Sequence, residues 1–394
     1  MTEPIERENR HEGGVIAGTN DTTDRRTFIS RASALTLAIP GIGAALVGCS
    51  PNGSGDDSAR ARKGDSSAAH PAAATPAATQ GAPVGTHNSD SRLDSTVLHD
   101  RDHRATTGAT ANAQSATFHR IDPTLPPPVA GGRVQLHWHA REAAVRIGPD
   151  TVVNAWTFEG DVPGPVVHCR VGDTVEFTLT NDADIPHSMD FHAAQIDPKT
   201  AFRSVPKGQS VTFTFKPKFA GAFMYHCGTA PVLMHIGSGM YGAIIVSPRE
   251  PLAVAKEFVL VQSEFYLADA VNGARAFDYQ KMLSTMPDLV TFNGRPDQYV
   301  HEPIRVKAGD RVRFWIVDAG PTHPCHFHVV GEQFDTVYLG APPGNSIRGV
   351  QTWSVPAGGG CCYELVCDIP GEFPFVNHGF GHGQKGSIGI LRVE

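Results

Sequence analysis

The chain has no excess of basic charge: 33 Lys+Arg stand against 40 Asp+Glu, a formal net charge of -7 over 394 residues. Without a basic face to neutralise phosphates, nucleic-acid partners are not expected. Cysteine is scarce, 7 in all, too few for a disulfide scaffold and odd in number, so at least one thiol has a task other than internal pairing. No apolar run reaches the ~20 residues that span a bilayer. Nor does any stretch carry a long uninterrupted helical period, which excludes a helical bundle. What is plentiful is histidine, with 19.

The N-terminus belongs to targeting. Asp24-Arg25-Arg26-Thr27-Phe28-Ile29 precedes a weakly apolar stretch, Ala32 to Val47, closed by Leu46-Val47-Gly48-Cys49. This resembles a twin-arginine export signal ending in a lipoprotein box, with Cys49 the lipidated first residue of the mature chain. It predicts export in the folded state and an extracytoplasmic place, lipid-anchored at the outer face of the cell membrane. From Ser50 to about Ala116 the chain is Ala, Ser, Thr, Gly, Asp and Pro with almost no aromatic residue. Such a composition cannot offset its chain entropy by burial and reads as a disordered tether. His70, His87, His99, His103 and His119 fall in or beside it and are expected to be solvated.

Beyond Phe118 the pattern changes to period two. Val134, Leu136 and Trp138 alternate with polar residues, as do Val175, Phe177 and Leu179, then Val211, Phe213 and Phe215, and later Val312, Phe314 and Ile316. Each group is bounded by Gly, Pro or Asp turns, the signature of half-buried strands. The segment Arg170-Val171-Gly172-Asp173-Thr174-Val175-Glu176-Phe177 returns as Lys307-Ala308-Gly309-Asp310-Arg311-Val312-Arg313-Phe314. Both copies are followed by a His-x4-His frame, His187 to His192 and His323 to His328. The expectation is an all-β chain of two duplicated sandwiches, with the signal over 1–49, the tether over 50–117 and domains over 118–250 and 251–394.

The chemistry concentrates in Tyr225-His226-Cys227-Gly228-Thr229-Ala230-Pro231-Val232-Leu233-Met234-His235-Ile236-Gly237-Ser238-Gly239-Met240, expected as a strand followed by a loop. With the upstream His187, residues Cys227, His235 and Met240 make the two-imidazole, thiolate and weak thioether set that copper takes at an electron-transfer site. Each residue alone has a blander role as core filler or buried polar group; the joint spacing is what points to copper. His226 is adjacent to the thiolate and so lies on the opposite strand face, and His192 is displaced from His187 in the same way. These two imidazoles are free for a second copper, linked to the first through the Cys227-His226 backbone and needing one more ligand from elsewhere in the assembly.

His187-Ser188-Met189-Asp190-Phe191-His192, the His226 to Met240 run and Pro370-Gly371-Glu372-Phe373-Pro374-Phe375-Val376-Asn377-His378 resemble the copper-containing, NO-forming nitrite reductases. Asn154-Ala155-Trp156-Thr157-Phe158 followed by Val162-Pro163-Gly164-Pro165 is similar to the opening of that family's first domain, so the resemblance spans the folded chain from about 118 to 394. It implies two tandem cupredoxin-like Greek-key sandwiches. Type 1 copper ligands would fall on His187, Cys227, His235 and Met240, and type 2 ligands on His192 and His226 with His378 of a neighbouring subunit, in a homotrimer. Asp190 and His328 match the family's catalytic Asp and His. Nitrite is the implied substrate, and a small redox protein, a cupredoxin or cytochrome, the implied donor. Reducing nitrite to nitric oxide and water takes one electron and two protons, so groups able to hold protons beside the substrate, a carboxyl and an imidazole, are what the reaction requires.

The chain departs from the family in places. His323-Pro324-Cys325-His326-Phe327-His328 is richer in histidine and resembles the His-Pro-x-His-x-His motif of laccase-like multicopper oxidases. An oxygen-reducing oxidase is therefore one rival function, and a copper-binding electron-transfer protein another. The oxidase needs about eight histidines, mostly in His-x-His pairs, and only His326 and His328 fit that frame. Gly379-Phe380-Gly381-His382-Gly383 is unusually glycine-rich. Cys361, Cys362 and Cys367 have no family counterpart; Cys361 with Cys367, or Cys362 with Cys169, are pairs an oxidising compartment permits, but buried thiols are expected. His323 and His326 are expected at the rim of the substrate pocket, with His326 behind His328.

Overall fold

The computed structural model describes residues 113–394. The twin-arginine signal, Cys49 and the tether up to residue 112 lie outside the described residues. The first half forms β1 (Arg133–Gly148), β2 (Thr151–Phe158), β3 (Val167–Arg170), β4 (Thr174–Asn181), β5 (Asp190–Phe191), β6 (Ser210–Phe215), β7 (Gly221–His226) and β8 (Tyr241–Ser247). The second half forms β9 (Lys256–Phe265), β10 (Leu267–Val271), β11 (Ala274–Phe277), β12 (Leu289–Phe292), β13 (Glu302–Val306), β14 (Asp310–Gly320) and β15 (Cys325–Val329). It continues through β16 (Phe334–Tyr338), β17 (Ser346–Val350), β18 (Thr352–Val355), β19 (Gly360–Cys367), β20 (Gly371–Asn377) and β21 (Ile388–Val393). Helices in the described residues are one or two turns long, among them Val232–Gly237 and Phe380–Gln384.

The strands make four sheets, ordered β10-β11-β2-β1-β4-β6, β3-β8-β7-β5, β12-β9-β14-β19-β16-β17 and β13-β21-β20-β15-β18. Period two explains the first core. Val175, Phe177 and Leu179 on β4 and Val211, Phe213 and Phe215 on β6 turn inward onto Trp138, Phe158, Phe191 and Tyr225. Trp138 meets Phe177 edge-on, ring centroids 5.4 Å apart, a favoured aromatic geometry. The second core collects Val312, Phe314 and Ile316 with Phe327, Tyr363 and Phe375.

β14 is not the half-buried strand its alternation suggests. Trp315, Val317 and Ala319, on its other face, are buried too, against Ala222, Met224 and Tyr241 of the first sandwich. The sheet holding β7 and β8 packs against the sheet holding β9 and β14, so strands at this seam are covered on both faces and lose the polar side. Arg313, buried at the start of β14, keeps its charge paired with Glu257 at 2.7 Å and Glu364 at 2.8 Å, as a buried cation requires.

Strand pairing repeats as the sequence does. β1 runs parallel to β4 and β3 to β8; β9 runs parallel to β14 and β13 to β21. One element crosses over: the β10–β11 hairpin, from the second half, extends the first sandwich by pairing Arg275 with Val153 on β2. Cys169, Cys325, Cys361, Cys362 and Cys367 are buried free thiols, and neither candidate disulfide forms.

Candidate metal centres

β7 runs along the seam, and its alternation separates two sites. Tyr225 and Cys227 face the first core, whereas Ala222 and Met224 face the seam, and His226 follows them by period two. Cys227 follows the strand directly. His187 enters from the loop before β5, held by reciprocal backbone bonds with Val205. His235 sits in the last turn of helix Val232–Gly237, where the sequence suggested a loop; the turn aims its imidazole back at the strand end.

His187, Cys227 and His235 are buried together. His187 Nδ1 lies 3.1 Å from His235 Nδ1, and Cys227 Sγ lies 3.3 Å from His235 Nδ1 and 3.9 Å from His187 Nδ1. Burial lowers His187 to about 3 and His235 to about 4, so both rings are neutral and offer lone pairs. Burial raises the Cys227 thiol, while the Ser188 N–H at 3.3 Å is placed to stabilise its thiolate. Two neutral imidazoles and a thiol facing one another in this way are the donor set that a soft cation takes at its centre. Met240 is buried beside them; its N–H donates to His235 O (3.2 Å) and its carbonyl accepts from Cys227 N–H (3.1 Å).

The second cluster is Asp190, His192 and His226. Asp190 is paired across from His226 in the β5–β7 ladder. His192 donates its Nδ1–H to Gly358 O at 3.0 Å, and His226 donates its Nδ1–H to Cys227 O at 2.9 Å. Both Nε2 atoms are therefore bare, and they face each other at 3.0 Å. Two imidazole lone pairs so placed repel unless a cation or proton lies between them, and a carbonyl behind each ring is the usual support of a metal-ligating histidine. Burial lowers His226.

His328 and His378 meet elsewhere, on the second sandwich, with ring centroids 5.3 Å apart. His328 donates Nδ1–H to Gln351 O at 2.6 Å, and the exposed His378 is fixed through its backbone N–H to His326 O at 2.7 Å. Among the described residues of one chain, neither joins the Asp190, His192, His226 cluster. His323 meets His382 at a tilt, with centroids 4.8 Å apart and the rings inclined by 53°, and His326 lies near Gly379, the residue after His378.

Sequence reasoning missed the supports. The carbonyls of Gly358 and Gln351 carry no side-chain signal. Asn377, buried one residue before His378, accepts from His326 N–H and Gly379 N–H and donates to Gln262 Oε1 at 2.7 Å; Gln262 in turn donates to Asp318. Asp318 also anchors Gly358, whose N–H donates to Asp318 O at 2.7 Å. One buried network thus holds both the turn behind His192 and the turn bearing His378. Its only trace in the sequence is Asn377 within the motif.

Residues 136–251 match the multicopper oxidase family model. Over 285 residues the chain is 39% identical to the copper-containing nitrite reductase of Neisseria meningitidis serogroup A, covering 69% of this chain and 73% of that protein. The chain belongs to the copper-containing nitrite reductase family. Among solved structures, this member of the family is similar to the copper nitrite reductase from Nitrosomonas europaea, with a TM-score of 0.62 and 36% identity over 66% of this chain and 94% of that one. It is also similar to a structure titled multicopper oxidase, with a TM-score of 0.57 and 26% identity over 69% of this chain and 94% of that one. The nitrite reductase is a copper oxidoreductase.

Proposed function

We propose that the protein reduces nitrite to nitric oxide, with type 1 copper on His187, Cys227, His235 and Met240, and type 2 copper on His192, His226 and His378 of the partner subunit. The carrying observation is the pair of bare Nε2 atoms of His192 and His226, 3.0 Å apart beside Asp190 and one peptide from the sulfur of Cys227. Copper held by His187, Cys227, His235 and Met240 would relay one electron, and copper held by the imidazoles would supply a Lewis acid for nitrite.

The chain's residues do the rest. Nitrite, one electron and two protons give nitric oxide and water. Asp190, half-buried on the same strand side as the two imidazoles, holds a proton beside a nitrite oxygen and is placed to deliver it. His328, its Nδ1–H held by Gln351 O, presents Nε2 outward as the second proton carrier. In one chain His378 and His328 stand apart from His192, so completing the site takes a second copy, and a closed ring of three gives each copy the same two half-sites. A small cupredoxin or cytochrome supplies the electron. A twin-arginine signal closed at Cys49 would carry the trimer out of the cytoplasm onto a lipid anchor, within reach of such a donor. Copper content of the purified protein, measured with nitric oxide release under anaerobic reduction, tests the reading. Two coppers per chain with nitric oxide evolved is the expected result; four with oxygen uptake contradicts it.

A further inference from the structure

The second sandwich repeats the first one's site as far as its imidazoles. β5 and β7 pair with Asp190 opposite His226, and His192 N–H bonds Met224 O at 3.0 Å. β15 and β20 pair with His328 opposite Val376, and His378 N–H bonds His326 O at 2.7 Å. Laid on each other, the ladders put His187, Asp190 and His192 on His323, His326 and His328, and His226 on His378. Cys227 then falls on Gly379. A short helix follows each, with one histidine in its last turn, His235 or His382. Extending the β7–β8 and β20–β21 registers sets Met240 opposite Cys227 and Lys385 opposite Gly379. The closing bond is repeated as well: Met240 N–H donates to His235 O at 3.2 Å, and Lys385 N–H to His382 O at 3.0 Å.

The imidazoles keep their separation. Ring centroids of His187 and His235 are 5.0 Å apart, and those of His323 and His382 are 4.8 Å apart. His323 donates Nε2–H to Thr285 O at 2.8 Å, which leaves its Nδ1 bare. His382 Nδ1 accepts from the Asn377 amide at 3.3 Å, so its lone pair is held by that N–H. Nδ1 is also the atom through which His187 and His235 face each other and Cys227. A Cβ at position 379 would stand 3.2 Å from His382 Nδ1 and 3.3 Å from Asn377 Oδ1, so a side chain there needs those two to give by a few tenths of an ångström, while the backbone, φ -68° and ψ 90°, is one that any residue adopts.

We propose that the second sandwich holds an incomplete thiolate–imidazole copper site, His323 with His382, closed to electron entry by Gly379 and Lys385 in the places of Cys227 and Met240. This rests on reading the first sandwich's cluster as the electron-entry copper. Two imidazoles without a thiolate, and with an ammonium in place of the thioether, hold a soft cation poorly. The Lys385 ammonium is tied to Pro287 O, which stabilises the closed arrangement. His378-Gly379 is the counterpart of His226-Cys227, so a thiolate at 379 would adjoin an imidazole of the neighbouring substrate site. The unsubstituted chain takes electrons through Cys227 alone because this second port lacks its sulfur.

The test starts from the full chain carrying Cys227→Ala, which removes its own thiolate and colour. Adding Gly379→Cys and Lys385→Met is expected to restore an intense visible thiolate-to-copper band with one more copper per chain on titration with Cu2+, and His323→Ala is expected to abolish both. Should that protein fail to assemble, Gly379→Asp in the otherwise unsubstituted chain supplies a carboxylate there and is expected to gain one Co2+ per chain, lost again with His323→Ala. Absence of the band and of the added ion overturns the proposal, as does a band that survives His323→Ala. A chain with Cys227 intact that binds copper without a visible band instead overturns the reading of the first sandwich's site, and this inference with it.

Discussion

The first sandwich ends its central hairpin on Cys227 between two buried imidazoles, and the second ends the equivalent hairpin on Gly379 between two half-buried ones. Strand pairing is shared, so the fold alone sets where imidazoles stand. What separates a redox site from a cluster of histidines is one sulfur and the depth at which the rings sit. The seam adds a second contrast: His192 leans on Gly358 of the other sandwich in its own chain, whereas His378 projects outward. His192 is thus braced within its chain, and under the proposed function His378 is the half of the site offered to a neighbour.

The largest expected effect removes the difference between the sandwiches. Cys227→Ala should abolish the intense visible absorption and electron delivery while the second copper stays, read by absorption and copper content; a surviving band would assign the colour elsewhere. Next, Asp190→Asn should cut nitrite turnover by about 10²–10⁴-fold, the usual worth of a positioned acid–base group. His326→Ala, at the position equivalent to Asp190 in the second sandwich, should leave two coppers per chain and only shift the pH dependence of turnover. Equal losses from the two substitutions would break the comparison.

A smaller effect concerns stability without metal. Burial lowers His187 to about 3 and His235 to about 4 from 6.5. Between those values the unfolded chain binds protons that the folded chain refuses, so the stabilisation is complete above 6.5 and is lost as pH falls through about 4 towards 3. Melting temperatures of chelator-treated protein should fall across that window, and copper loading should flatten the fall. A pH-independent melting temperature would show that the two rings are not buried neutral.

The smallest effect lies in the network beneath both half-sites. Gln262→Met keeps the side chain's length and removes its bonds to Asn377 and Asp318, at a cost of about 1–3 kcal/mol for polar groups left buried without partners. Type 2 copper should bind about tenfold more weakly, since groups that support metal ligands carry that order of affinity. Type 1 absorption should not change. A parallel loss at both coppers would mean general unfolding instead.

Much of this was legible in sequence because it depends on short-range order. Period two placed Val175, Phe177 and Leu179 in a core, and the spacing from Cys227 to His235 brought thiol and imidazole together regardless of the exact loop. What stayed hidden depends on partners distant along the chain. The second face of β14 is apolar only because another sheet covers it, and the β10–β11 hairpin joins a sheet that its own half does not build. The equivalence of His382 with His235 was concealed because the loop back to the next strand differs in length, and only the ladder register aligns them. Backbone acceptors such as Gly358 O and Gln351 O have no residue signature at all.

The central claim, that each chain contributes half of two different substrate sites, is tested most directly by mixing two inactive proteins. His192→Ala and His378→Ala chains should each form trimers that keep their colour, lack type 2 copper and release no nitric oxide. Refolded together at equal amounts, randomly mixed rings should regain about a quarter of their sites, wherever an intact His192 meets an intact His378 of the partner subunit. Type 2 copper and nitric oxide release recovering to about that fraction is the predicted result. No recovery in mixed trimers verified by mass would contradict the account and place the site within one chain.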